Sequence, residues 1–116
     1  MEDCLFCQIV RGEIPSTKVY ETDQLLAFRD IAPKAKVHLL LIPKRHIATL
    51  AEITEEDKPL LADLLCAANQ VALQEGCGGG FRLVNNCGAD AGQEVFHLHF
   101  HLLGGERLGM GFGASD

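Results

Sequence analysis

The spacing of apolar and polar residues changes several times along this chain, and each change marks an element. In CLFCQIVR (4–11), Leu5, Phe6, Ile9 and Val10 recur at helical spacing until Gly12 and Pro15 interrupt them, predicting a short helix. Residues 18–21 and 24–29 read as two short strands joined at Thr22-Asp23. The continuous apolar run VHLLLI (37–42) predicts a buried strand, halted by Pro43. From 55 to 75 the period is helical again, with Leu60, Leu61, Leu64, Leu65, Ala68, Val71 and Ala72 on one stripe. Thr54 and Asp57 have the spacing of a weak capping box, Pro59 falls in the first turn, and Gly76 ends the helix. GCGGG (76–80) is a flexible turn, and 81–85 and 95–103 read as the last two strands. Two helices and about five strands with short connections predict an α+β fold. The expected arrangement is one domain over 1–116, an antiparallel meander carrying both helices, with a glycine-rich tail from about 104.

The last strand carries the chemistry. FHLHFHLLGG (96–105) places three of the five histidines, His97, His99 and His101, at every second position. At a period of two they share one strand face, while Phe96, Leu98, Phe100 and Leu102 share the other. Three readings of the histidine face are open: rings turned to solvent, a metal site, or acid–base and nucleophilic chemistry. Spacing restricts the metal reading. Residues four apart on a strand stand about 13 Å apart at their bases. Ligand distances near 2 Å therefore let neighbours share an ion, but hardly His97 with His101. His38, inside the buried run, is as readily a satisfied core residue as a functional one.

Bulk composition narrows the class. A net charge of −6 argues against nucleic-acid binding, which calls for a basic face. No apolar run approaches a membrane span, and MEDCLFCQIV carries acids where a signal peptide has basic residues. Five cysteines, an odd number at low density, fit a reducing, cytoplasmic setting better than a disulfide framework. Cys4 and Cys7 form C-x-x-C, which is half of a tetrahedral zinc site or a simple thiol pair. Cys66 reads as packing on or beside the long helix, and Cys77 and Cys87 fall in loops.

GQEVFHLHFHLLGG (92–105) closely resembles the signature of the histidine triad (HIT) superfamily, and the LLGG ending resembles its Hint branch. FCQIVRGEIP (6–15), AFRDIAPKAKVHLLLIPKRHI (27–47) and FRLVNNCGADAGQE (81–94) fit the same family in order and spacing. The resemblance implies a homodimer with a sheet continuous across both subunits. It also implies a hydrolase or transferase acting at the α-phosphorus of purine nucleotides. The typical activity is nucleoside 5′-phosphoramidate hydrolysis through a nucleotidyl-histidine. Dinucleoside polyphosphate hydrolysis, or nucleotide binding in a regulatory protein, remains the alternative.

Roles follow from the resemblance residue by residue. His99 matches the nucleophile, His101 its partner at the phosphate or leaving group, and His38 the residue that orients the nucleophile. The loop around Gly92, Gln93 and Glu94, with Asn86, matches the phosphate site, where glycine lets backbone N–H groups approach an anion. Asp30 matches the acid that takes the ribose hydroxyls, although alone it reads as a turn aspartate. Phe6, Ile9, Ile14, Phe28 and Leu40 match the base pocket, though each equally suits a core. His46, from PKRH, and His97 match the two imidazoles that join Cys4 and Cys7 around a structural zinc. No organic cofactor is implied. Glu94 departs from the Ser or Thr common in the family, and Glu106 from the Arg common after Gly-Gly. Both leave the leaving group and substrate preference open.

Overall fold

A computed structural model describes residues 3–114; the ends of the expected domain, 1–2 and 115–116, lie outside the described residues. Helix α1 (Leu5–Val10) is capped by Cys4, whose Sγ accepts from the Cys7 N–H at 3.4 Å. Three strands follow, β1 (Lys18–Glu21), β2 (Leu25–Arg29) and β3 (Val37–Pro43), each antiparallel to the one before. Thr22 shapes the first turn, its Oγ1 accepting from the Leu25 N–H at 3.0 Å. A 3-10 turn over Glu55–Asp57 then leads into α2 (Lys58–Gln74), so the α-helix proper begins three residues after the expected start at 55. The Asp57 carboxylate accepts from the Thr54 N–H at 2.9 Å and pairs with Arg45, which anchors that first turn.

The sheet departs from a simple meander. β4 (Phe81–Val84) and β5 (Phe100–Gly104) pair with each other, but β5 also pairs with β3, giving the order β1-β2-β3-β5-β4. The long α2 crossover carries the chain past β3, and β5 returns into the gap, so β4 occupies the edge.

The two helices cover opposite faces of the sheet. α2 lays Leu64, Ala67, Ala68, Val71 and Ala72 on Leu25, Ala27, Leu39, Leu41 and Leu102. α1 lays Phe6 and Ile9 on Leu26, Phe28, Leu40 and Ile42. With both faces covered, β3 must be apolar throughout, which explains its unbroken run. The buried face of α2 differs from the expected stripe at two places: Ala67 is buried, whereas Leu65 is 49% exposed; Leu73, outside that stripe, is 60% exposed. Cys66 is exposed, not packed, and Cys77 is buried in the α2 core. Gly104 accommodates Cys77, because a Cβ there would lie 2.8 Å from its Sγ. Among the described residues no helix is long and apolar enough to cross a membrane.

The expected strand over 95–103 is shorter. Residues 95–97 bend, and pairing begins only at Phe100. The cause lies in the neighbour: β3 ends at Pro43, so the segment before Phe100 has no ladder to join. Leu98 donates instead to the Ile47 carbonyl at 2.6 Å.

Candidate functional site

Because the chain bends before β5, the three alternating histidines do not form a row. His97 and His99 are both buried, with the Phe6 ring edge-on to each at centroid separations of 6.0 and 5.1 Å. Beyond the His97 side lie Cys4, Cys7 and His46. Beyond the His99 side lie His101, His38 and Asp30. Two clusters result, sharing one short piece of backbone.

In the first cluster the ligand atoms of Cys4, Cys7, His46 and His97 all lie within 4.8 Å of one another. His97 Nδ1 is 3.4 Å from Cys4 Sγ and 3.6 Å from Cys7 Sγ, and His46 Nδ1 is 3.3 Å from Cys7 Sγ. These spacings suit the edges of a tetrahedron with metal–ligand distances of about 2.0–2.3 Å. The tautomer is suitable as well. His97 Nε2–H donates to the Pro43 carbonyl at 2.8 Å, so the Nδ1 lone pair faces the thiols. Burial and the neighbouring Cys4 push the Cys7 thiol pKa up, so a cation is what would favour its thiolate. The four residues can hold a metal ion.

The second cluster is arranged for polar chemistry. His99 Nδ1–H donates to the His97 carbonyl at 2.7 Å, which leaves the Nε2 lone pair free. The Asn85 amide donates to the His99 carbonyl at 2.9 Å, while its own Oδ1 is buried without a hydrogen-bond partner among the described residues. His101 stands beside His99, ring centroids 5.2 Å apart. His38 and His101 are diagonal neighbours on one sheet face, since His38 pairs with Leu103 and Leu40 with His101. Their Nε2 and Nδ1 atoms are 2.9 Å apart. His38 therefore orients His101, whereas the expectation set it on His99; the His97 carbonyl takes that role. Burial, then the neighbouring His99 and His38, bring the His101 pKa down to about 4, and burial lowers that of His38. Asp30 approaches this pair, its Oδ2 3.5 Å from His38 Nε2.

The loop before the bend behaves differently from the expectation. The N–H groups of Gly92 and Gln93 donate within it, to Ala89 at 2.9 Å and Gly88 at 3.1 Å, closing a 3-10 turn. They are thus not available to an anion, and of the backbone donors of 92–94 only that of Glu94 is uncommitted among the described residues. Gln93 is buried and serves the loop: its amide donates to the Ala48 and Val95 carbonyls and its Oε1 accepts from Gly88. Gly92 provides a left-handed turn at φ 81°. Glu94 is exposed and Asn86 half-buried. Phe6, Ile9, Phe28 and Leu40 are packed in the α1 core, with Ile14 partly open against them. Asn85, Lys34 and the carbonyls of Pro43 and His97 had no sequence signal, because their parts are set by tertiary contacts.

Comparison with known proteins agrees with this geometry. The HIT domain model matches residues 11–108. An uncharacterized HIT-like protein of Synechococcus elongatus is 53% identical over 107 residues, covering 92% of this chain and 94% of that one. Protein HitA of Neisseria gonorrhoeae is 44% identical, covering 90% of this chain and 97% of its own. Among solved structures, a HIT family hydrolase from Legionella pneumophila superposes with a TM-score of 0.92 at 50% identity. That match covers 96% of this chain and all of the other. A histidine triad protein from Clostridium difficile gives 0.91 at 46% identity over 95% and 96% of the two chains. The matched family model, the relatives and the five-stranded sheet agree: the chain belongs to the HIT domain family.

Proposed function

We propose that this protein hydrolyses purine nucleoside 5′-phosphoramidates through a covalent nucleotidyl group on His99. The observation that carries this reading is the pair of complementary ring atoms at the site. His99 offers an Nε2 lone pair because the His97 carbonyl holds its other nitrogen. Lys34 N–H donates to His38 Nδ1 at 3.0 Å, so His38 carries its proton on Nε2 and donates to His101 Nδ1. His101 in turn keeps its proton on Nε2. A nucleophile and a neutral hydrogen-bond donor then stand side by side.

In this mechanism His99 Nε2 attacks the α-phosphorus and the P–N bond breaks. The leaving nitrogen takes a proton from solvent and departs as an amine. His101 and the Glu94 N–H donate to phosphoryl oxygens that gain charge as His99 attacks. Water then attacks the phosphorus, the P–N bond to His99 breaks, and the nucleoside monophosphate leaves. Asp30 takes the ribose hydroxyls, and Ile14 with the rim of Phe6, Ile9, Phe28 and Leu40 lies against the base. Asn86 borders the phosphate loop.

Cys4, Cys7, His46 and His97 are assigned to a structural zinc. Bound there, such an ion would join α1 to the segment before β5 and so steady the carbonyl on which His99 depends. The protein is further assigned as a homodimer built on the β4 edge. β1 is protected by a register shift between Lys18 and Tyr20 and by ion pairs of Glu21 with Lys18 and Lys44. β4 has a regular ladder and, with α2, leaves Phe81, Leu65 and Leu73 exposed.

The test is acid quenching during turnover of adenosine 5′-phosphoramidate, followed by mass spectrometry of the chain. An adenylyl group on the peptide carrying His99, absent in His99→Ala, is the expected result. Turnover of diadenosine polyphosphates without turnover of the phosphoramidate would overturn the reading.

A further inference from the structure

The cluster of Asp30, His38 and His101 brings three metal-capable groups within 4.8 Å of one another, yet it is bonded as a proton site. The Lys34 backbone N–H, which can only donate, points at His38 Nδ1 from 3.0 Å. Neutral His38 therefore bears its proton on Nε2 and has no lone pair there for a cation. That proton is donated to His101 Nδ1 at 2.9 Å, and the Asp30 carboxylate stands beside it as a charge, its Oδ2 3.5 Å from the same Nε2. The other Asp30 oxygen accepts from the Ala32 N–H at 2.8 Å, which fixes the carboxylate toward His38. The His38 side chain is 3% exposed and that of Asp30 18%, so solvent screens this contact little.

We infer that Asp30 is a positioning residue for the His38–His101 pair in addition to any contact with ribose. Its carboxylate and the Lys34 N–H hold the His38 proton on Nε2 from opposite sides, and this keeps His101 a donor at its own Nε2. Only the ribose half of this statement rests on the nucleotide reading above. Sugar and proton placement are then linked: hydroxyls that donate to Oδ2 draw its charge away from His38, so the occupied sugar site changes how firmly the pair is held. The titratable and charged groups facing the pair are Asp30 and Lys34 from the loop after β2, and His99 from the segment before β5. Burial lowers the pKa of both rings, and Asp30 opposes that shift in each, which agrees with its placement.

Asp30→Asn isolates the effect. The amide keeps an oxygen for Ala32 but turns a donor toward His38 Nε2, so the two sides of His38 then demand opposite tautomers. In the zinc-loaded, ¹⁵N-labelled protein at neutral pH, histidine nitrogen shifts report the tautomers directly. The parent should show the Nε2–H form at both His38 and His101. The variant should show a measurable Nδ1–H population at His38 that the parent lacks, a minority because the Lys34 N–H stands closer than the new amide. Parallel kinetics use a 2′,3′-dideoxyadenosine phosphoramidate, which removes the ribose contact from both proteins. The variant should still show kcat about tenfold lower than the parent, a modest fraction of what one hydrogen-bond donor to a charged transition state contributes. Identical tautomers in the two proteins would overturn the inference, as would equal kcat on the dideoxy substrate. If the parent turns over no phosphoramidate, the proposed function fails, while the nitrogen shifts still decide the role of Asp30.

Discussion

Exchanging His99 for alanine deletes the free Nε2 while leaving every Cys4–Cys7–His46–His97 contact in place. His99→Ala should abolish turnover, retain its metal and melt close to the parent. His97→Ala should lose the metal and melt at least about 10 °C lower, as expected for a small domain losing a few kcal/mol. Metal analysis and melting of both variants check this, and a metal-free His99→Ala protein would refute the division of roles. Acid sensitivity is also set at single residues. The unfolded chain binds a proton at His101 near pH 6.5, whereas the folded chain refuses it until about pH 4. The unfolded state therefore holds more protons between these limits, and stability, complete above pH 6.5, falls as the pH drops toward 4. His38 adds a loss of the same sign. Melting temperature against pH should show this slope in the parent and a shallower one in His101→Gln.

At the scale of elements, α2 is held by its small-residue face. Leu64 is 1% exposed, with Ala67, Ala68 and Val71 beside it, and the hydrogen-bonded strands below cannot collapse into a gap. Leu64→Ala should cost about 2–5 kcal/mol, measured by chemical denaturation. A loss below ~1 kcal/mol would show the face to be loosely packed. The elements themselves were legible in the chain: the strands around Tyr20, Phe28 and Leu40 and both helices fall within a few residues of their expected limits. Less legible was whatever depended on a neighbour. The period-two pattern at Phe96–Leu102 is real, yet a ladder needs a partner, and Pro43 removes it. Cys66 and Leu65 sit at apolar spacing but outside the face that meets the sheet. Gln93 looked like a ligand because its sequence position is beside the site; its hydrogens are used by Ala48 and Val95. The proton positions on His38 and His101 depend on the backbone N–H of Lys34, a contact that no side-chain pattern announces.

For the molecule as a whole, the unequal edges of the sheet decide how it can associate. Leu65 and Leu73 lie two turns apart on the α2 face away from the core, and Phe81 stands at the start of β4. If the protein associates through the proposed β4 and α2 surface, Leu73→Glu should leave it monomeric by placing charge there, with little change in the monomer fold. Sedimentation at micromolar concentration checks this, and a monomeric parent would rule the assembly out. The bend at 95–97 has a consequence that reaches across the same molecule. The atom that orients His99 is a main-chain carbonyl, so no side-chain change at position 97 can delete it; only movement of the backbone can withdraw it. The residue bearing that carbonyl is anchored through its ring to Cys4 and Cys7. If the proposed metal and reaction hold, a chelator or a thiol oxidant acting on those two cysteines should thus slow a reaction at His99 that it never touches.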